Sequence, residues 1–304
     1  MFCTRLNQSI LDKNSRLCVG LDPRLEWLPK PILDRAKRKY GPTFKAAGKA
    51  ISEFNKQIID VVANIVPVVK PQMAFYEQYG PAGLEAFWET VNYAKKRKLL
   101  VIADAKRGDI DSTAQAYANS FLGKTDLFGK SKACYDVDCL TVNPFLGEDS
   151  LLPFIETCNK FKKGIFILAK TSNPGSDDFQ NLQFRGKTLT RLVSELIAKH
   201  ASVNLDSRGY SNIGVVVGAT FPQEAKEIRQ ILPHSIFLVP GLGPQGGSSN
   251  GLNNFFNSDK LGAIINSSRG IVFSKNGKEG KNYLKIIEEE AKQMTKMINQ
   301  EINC

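Results

Sequence analysis

A closed eight-stranded parallel barrel, formed as one domain over residues 1–304, is the fold this sequence predicts, and three observations predict it. Short apolar segments alternate with longer segments of helical spacing from end to end. No composition break or proline-rich linker divides the 304 residues. Polar residues stand where the strands end: Asp22, Lys70, Asp104, Lys106, Asn143, Lys170-Thr171-Ser172, Ala219-Thr220, Pro240-Gly241 and Ser267-Ser268-Arg269. Such a ring of strand ends is the site pattern of the eightfold barrel, whereas a doubly wound open sheet, the structural competitor, gathers its ligand at one crevice.

Residues 16–23 form an apolar run closed by Asp-Pro, which fits a buried strand whose last side chain, Asp22, points into a loop. Residues 24–44 carry prolines and glycine around a basic helical piece. Residues 46–63 place Ile51, Phe54, Ile58, Ile59 and Val62 at helical spacing. A second strand over 66–70 ends in Lys70 directly before Pro71, a boundary that cannot continue as helix. Helix 81–98, strand 100–104, helix 112–122, strand 137–142, helix 150–160 and strand 165–170 continue the alternation. Helix 187–200, strand 213–217, helix 222–232, strand 236–239, a glycine-rich loop, strand 263–265 and helix 281–299 complete it.

A hydrophobic content of 42% is ample for a sizeable core and argues against disorder. The first residues lack the continuous apolar region of a signal peptide, and no stretch approaches the roughly 18 apolar residues of a membrane span, so a soluble cytoplasmic protein is expected. Six cysteines form no CxxC pair and only two histidines occur, so metal-site spacing is absent; reduced, mostly buried thiols are expected. The net charge of +11 raises nucleic acid as a partner. The basic residues, however, are spread over 35–39, 95–98, 160–163 and 275–285 as solvated helix faces, and Trp27 and Trp88 read as packing residues. Neither nucleic acid nor membrane is expected as a partner, and the positive field suits a small phosphorylated anion equally well.

The stretch 99–113, Leu-Leu-Val-Ile-Ala-Asp-Ala-Lys-Arg-Gly-Asp-Ile-Asp-Ser-Thr, ends an apolar run abruptly in alternating acids and bases. On a strand, residues two apart face the same way, so Asp104 and Lys106 project together from its C-terminal end. The chain then turns at Gly108, and Asp109, Asp111 or Ser112 begins a helix, leaving acidic groups beside its positive end. A strand-end ion pair with a helix cap is one reading of this cluster, and an active site is the other. Residues 239–247, Val-Pro-Gly-Leu-Gly-Pro-Gln-Gly-Gly, are too long and glycine-rich for a tight connection. They read either as a plain flexible loop or as backbone amides free to close over an oxyanion, and their place after strand seven agrees with the usual phosphate site of such barrels.

Asp-x-Lys-x-x-Asp-Ile-x-x-Thr after an apolar strand resembles the signature of the orotidine 5′-phosphate decarboxylases, and the match is complete at Asp104, Lys106, Asp109, Ile110 and Thr113. The resemblance implies a (β/α)8 TIM barrel that converts orotidine 5′-phosphate to uridine 5′-phosphate, the last step of de novo pyrimidine biosynthesis, with neither metal nor organic cofactor. It casts Lys106 as the group that stabilises the carbanion at the pyrimidine C6 and then protonates it. Lys70, Asp104 and Asp109 complete its charged network, and two carboxylates are what a cationic proton donor at that position requires. Asp109, Ile110 and Thr113 are implied to enter the neighbouring subunit's site, so an obligate homodimer with shared sites is expected.

Asp22 matches the family's ribose-binding aspartate, with a turn cap as the structural reading of the same Asp-Pro. The ribose also meets Lys70 and Thr113. Ser172 fits the serine that bonds the pyrimidine amide; the alternative is an Asn-Pro turn with idle hydroxyls. Gln245 and Arg269 match the phosphate ligands, where an arginine fork suits phosphate better than lysine does, and Pro240 is expected to shape the same lid. Ser268 departs from the glycine of many members. The chain also carries inserts near 24–44 and 171–186, and Lys-Pro-Gln-Met-Ala-Phe-Tyr-Glu at 70–77 resembles the longer bacterial branch. The competing enzyme class is that of magnesium-dependent sugar-phosphate barrels with the same charged motif. They lack the Thr-Ser pair and place a further glutamate near the metal, for which no clear candidate follows strand one or two.

Overall fold

The computed structural model describes residues 1–242, 251–273 and 282–303. Eight strands close a parallel barrel. They are β1 (Leu17–Leu21), β2 (Val68–Pro71), β3 (Leu100–Arg107), β4 (Cys139–Val142), β5 (Gly164–Lys170), β6 (Ile213–Val217), β7 (Phe237–Val239) and β8 (Ala263–Ser267). Closure is set by β1, in which Val19 aligns with Val69 of β2 on one side and with Ser267 of β8 on the other.

Side chains alternate across each strand, and the alternation divides the apolar residues into two cores. Cys18, Val68, Ile102, Cys139, Phe166, Val216, Leu238 and Ile264 fill the barrel. Their neighbours Val19, Val69, Val101, Leu140, Ile167, Val215, Val239 and Ile265 face outward and pack under the helices. This two-sided burial is why the strands read as continuous apolar runs.

The N-terminal helix α1 (Phe2–Lys13) has no counterpart in the sequence-based order of elements. Its Phe2, Leu6 and Ile10 recur at helical spacing and join the interior core as a plug. The Phe2 ring meets Phe166 edge-on, with centroids 6.1 Å apart. The Cys3 amide donates to Asn212 Oδ1 at 3.1 Å, and Arg5 pairs with Asp138. Asn14, left-handed with φ 45°, ends the helix.

The outer layer comprises α2 (Lys30–Tyr40), α3 (Phe44–Val62), α4 (Ala74–Glu77), α5 (Gly80–Lys96), α6 (Asp111–Phe121), α7 (Glu148–Phe161), α8 (Leu189–Ala201), α9 (Pro222–Ile231), α10 (Arg269–Val272) and α11 (Tyr283–Glu301). Two hairpins are added, Thr125–Leu127 with Lys130–Lys132 and Gln183–Phe184 with Lys187–Thr188. The second takes Lys187 and Thr188 out of the expected helix. Thr188 instead caps α8, its hydroxyl oxygen accepting from the Arg191 amide at 3.2 Å. Trp88 is exposed rather than packed, at 49%. Cys3, Cys18, Cys139 and Cys158 are buried thiols and Cys134 an exposed one, all unpaired, while Cys304 lies outside the described residues.

The plug yields a stability prediction. Phe2→Ala removes a fully buried ring, and the surrounding strands cannot collapse to refill the space, so a loss of about 3–5 kcal/mol is expected. Urea unfolding should show a lower midpoint with an unchanged slope. A loss below about 1 kcal/mol would mean that α1 does not complete the core.

Candidate active site

The inward parity that fills the barrel continues past the apolar layer into polar residues. Along β1 it runs from Cys18 through Gly20 to Asp22, along β2 from Val68 through Lys70 to Gln72, and along β3 from Ile102 through Asp104 to Lys106. Along β8 it runs from Ile264 through Asn266 to Ser268. Asp22, Lys70, Gln72, Asp104, Lys106, Asn266 and Ser268, with Thr141, Leu168, Ser172, Pro240 and Arg269, line a cavity of about 370 Å³ at the carboxyl ends of the strands. A small phosphorylated ligand fits that size. Gly20 is required by close approach, because a Cβ there would come within 1.8 Å of Ser268 Oγ.

Asp104 is the hub of the charged groups. Its Oδ2 accepts from Lys70 Nζ at 2.6 Å and from Gln72 Nε2 at 2.9 Å. Its Oδ1 accepts from Lys106 Nζ at 2.7 Å and from the Thr141 hydroxyl at 3.0 Å. Burial alone would raise the Asp104 carboxyl, but the charges of Lys70 and Lys106, with the hydrogen bonds they donate, hold it well below the usual carboxylate range. Burial would likewise lower the Lys70 ammonium, and Asp104 first, then Asp22, holds it above the ordinary lysine value. Both groups are therefore ionised at neutral pH.

A bulge in β3 aims the second lysine. Ala103 aligns with Leu140 of β4, yet Arg107 aligns with Val142, so β3 carries extra residues at that point. Lys106 takes the left-handed conformation there, φ 47°, and its amide donates to the Thr141 oxygen at 2.9 Å. Backbone of this kind in a non-glycine residue persists where its surroundings over-determine it, and it gathers at functional sites. The Lys106 side chain stays 45% exposed, whereas that of Lys70 is 4% exposed. Both lysines line the cavity, Lys70 almost wholly buried against the carboxylate and Lys106 more openly presented.

The structure brings together Asp22, Lys70, Asp104, Lys106, Ser172, Pro240 and Arg269. It does not bring Asp109, Ile110 or Thr113 into that cavity. Ile110 and Thr113 are exposed and Asp109 half-buried, and the Asp109 carboxylate accepts from the Ile110 amide at 2.8 Å. Gln245 lies outside the described residues. Asn143, Ala219 and Thr220, expected at the rim, do not line the cavity. Lys170 departs further: β6 skips a residue opposite it, Val216 aligning with Leu168 but Val217 with Lys170, and its side chain turns away from the barrel.

Sequence reasoning missed Gln72, Thr141 and Asn266, although each is a polar residue at inward parity on or just beyond an apolar strand. Asp22 Oδ1, Asn266 Oδ1 and Ser267 Oγ are buried without a protein partner. Buried polar groups are ordinarily satisfied, so Asp22 Oδ1 and Asn266 Oδ1, which stand at inward parity, are suited to receive a hydroxylated or amide-bearing ligand. Three cations, Lys70, Lys106 and Arg269, face two carboxylates, Asp22 and Asp104, which leaves the lining net positive and suited to an anion. Among the described residues no group of three or more His, Cys, Asp or Glu is placed to hold a metal ion.

Comparison with known proteins agrees with this geometry. A relative from Rhodopirellula baltica named orotidine 5′-phosphate decarboxylase is 47% identical over 278 residues, covering 91% of this chain and 90% of its own. One of the same name from Caldicellulosiruptor bescii is 44% identical over 273 residues, 90% of each chain. The solved OMP decarboxylase of Leishmania donovani superposes with a TM-score of 0.75 at 31% identity, over 100% of this chain and 99% of that one. The family model for orotidine 5′-phosphate decarboxylase / HUMPS matches residues 15–283, and with that the chain belongs to the orotidine 5′-phosphate decarboxylase / HUMPS family.

Proposed function

We propose that the protein decarboxylates orotidine 5′-phosphate to uridine 5′-phosphate, completing de novo pyrimidine biosynthesis. The observation that carries this reading is the buried Asp104 carboxylate held between Lys70 and Lys106 at 2.6 and 2.7 Å in a cavity with net positive lining. The substrate carboxylate is set against Asp104. Two such charges about 4 Å apart repel by roughly 4 kcal/mol at an effective dielectric near 20. The C6–carboxylate bond breaks, carbon dioxide leaves, and the electron pair remains at C6. The Lys106 ammonium stabilises that charge and then transfers a proton to it, and solvent restores the lysine. Because the donors are already ordered by Asp104, little reorganisation is needed as charge develops.

Asp22 and Lys70 receive the ribose hydroxyls, Ser172 the pyrimidine amide, and Arg269 with Gln245 and Pro240 the phosphate. The absence of Asp109, Ile110 and Thr113 from the lining of their own cavity supports a homodimer in which these residues complete the partner's site. Ile110, Phe145 and Leu146, all from loops at the carboxyl ends of β3 and β4, are 47%, 84% and 49% exposed. An apolar group at that rim suits a two-fold contact. The reaction asks for no cofactor, and a cytoplasmic setting fits this biosynthetic role. No helix among the described residues is long and apolar enough to cross a membrane.

Ultraviolet absorbance of orotidine 5′-phosphate, followed with and without a chelator, tests the reading. Equal turnover in both is expected. Activity that is lost on removing magnesium and restored by adding it would transfer the assignment to the sugar-phosphate enzymes.

The shared site gives a second expectation. Asp109→Ala and Lys106→Ala homodimers should each be nearly inactive, while mixing them should restore activity. With random exchange about half the dimers are mixed and each has one intact site of two, so recovery approaches about a quarter of wild-type sites. No recovery despite demonstrated exchange would place Asp109 in its own barrel.

The charged hub also sets a pH window. A carboxylate whose folded value lies below its unfolded one stabilises fully above about pH 4 and loses that contribution as pH falls toward the depressed value. Lys70, raised on folding, contributes below about pH 10 and loses its share as pH climbs through its raised value. Asp104→Asn leaves the Lys70 ammonium buried without its counter-charge. A loss of about 3–5 kcal/mol at neutral pH and a shallower acid limb in urea unfolding are expected.

A further inference from the structure

We propose that Lys170 is a positioning residue for the pyrimidine subsite: its buried ammonium ties the segment 171–188 and the start of α9 to the end of β5, and so fixes Ser172. The inference rests on the assignment of Ser172 to the pyrimidine amide. Lys170 ends β5, its side chain is 0% exposed, and it lies outside the cavity that its neighbours Thr171, Ser172 and Asn173 line. An ammonium in such a place requires partners that compensate its lost hydration. They come from two separate segments. Asn181 Oδ1 accepts at 2.6 Å and Asp177 Oδ1 at 3.3 Å from the inserted segment, while Glu224 Oε2 lies at 3.4 Å and the Phe221 ring centroid at 4.3 Å at the start of α9.

Ser172 is held between these attachments. On one side the Gly218 amide of the β6 end donates to the Lys170 carbonyl at 2.9 Å, and a Cβ on Gly218 would stand 2.9 Å from Ser172 Cα, so backbone packs directly on the serine. On the other side the Thr171 amide donates to Gln180 Oε1 at 3.0 Å, while Gln180 Nε2 donates back to the Thr171 hydroxyl at 2.8 Å. The Gln180 carbonyl in turn accepts from the Thr190 amide of α8 at 3.1 Å. Without the Lys170 cation, Asp177 and Glu224 would face each other across an uncharged gap, like charges drawing the two segments apart. The strand end carrying Ser172 is the piece of backbone both segments share.

The test compares a ligand with the base to one without it. Uridine 5′-phosphate and ribose 5-phosphate are titrated into wild type and Lys170→Met by calorimetry, and kcat and KM are measured for orotidine 5′-phosphate. Lys170→Met should weaken uridine 5′-phosphate about tenfold, the value of one misplaced hydrogen bond, and leave ribose 5-phosphate within about twofold. In a Ser172→Ala background the Lys170→Met change should add little, because the two act through one contact. Lys170→Arg should keep most of the discrimination. Should Lys170→Met not fold, the exposed pair Asp177→Ala with Asn181→Ala strips the same clamp from the surface and should reproduce the selective loss. Equal weakening of both ligands, no weakening, or full additivity with Ser172→Ala would overturn the proposal. A wild type that binds uridine 5′-phosphate no better than ribose 5-phosphate would overturn the pyrimidine-site reading itself, and the positioning role with it.

Discussion

Asp104 accepts four hydrogen bonds on two oxygens, and the arrangement of the upper barrel follows from keeping all four. Its donors come from β2, the residue just past β2, β3 itself and β4, so the hub exists only when three adjacent strands share one register. The isolated bridge that aligns Gln72 with Asp104 extends that register beyond the end of β2. A carboxylate buried to this degree would be costly alone, and so would the ammonium beneath it. Together they are tolerable because each satisfies the other and the remaining lone pairs find an amide and a hydroxyl. The bulge at Lys106 follows from the same demand, since an unbroken strand would leave the Lys106 amide in the ladder instead of on Thr141.

The two ends of the barrel divide the work of stability and of binding. At the lower end α1 fills the interior with the apolar side chains Phe2, Leu6 and Ile10, beside the buried Asn7 amide. At the upper end Asp22 Oδ1, Asn266 Oδ1 and Ser267 Oγ have no protein partner, which destabilises the free protein and leaves the first two atoms available to a ligand. Such a rim is affordable only on a closed, densely packed base. Arg229 shows the same reinforcement from outside: its guanidinium donates to the carbonyls of Leu232, Ser235, Phe255 and Gly262, tying the end of α9 to the approaches of β7 and β8.

What the sequence made legible was the part governed by short-range periodicity. Eight apolar runs gave the barrel, because strand alternation survives where the register is regular, while Asp104 and Lys106 share one space across a bulge that their two-residue spacing does not state. Alternation failed where the register shifts. Lys170 occupies the same parity as Leu168, yet the skipped residue opposite β6 turns it outward. Polar residues at inward parity, such as Thr141 in Cys-Leu-Thr-Val, were passed over since one hydroxyl hardly alters an apolar run. The helix α1 carries the helical spacing of Phe2, Leu6 and Ile10, but its role as a plug is a tertiary fact that no local pattern states.

The turn after β3 carries the argument furthest from one chain. Lys106 and Asp111 both adopt left-handed backbone, φ 47° and 48°, and they bracket the turn that carries Asp109 and Ile110. The cavity that Lys106 lines leaves out Asp109 and Ile110, only three and four residues later. Under the proposed reading this geometry has a use: one turn serves two sites, its lysine directed to its own cavity and its next acid directed across a two-fold axis. Asp109 then adds the second carboxylate that a cationic proton donor calls for, while its own barrel avoids the repulsion of housing it beside Asp104 before the partner docks.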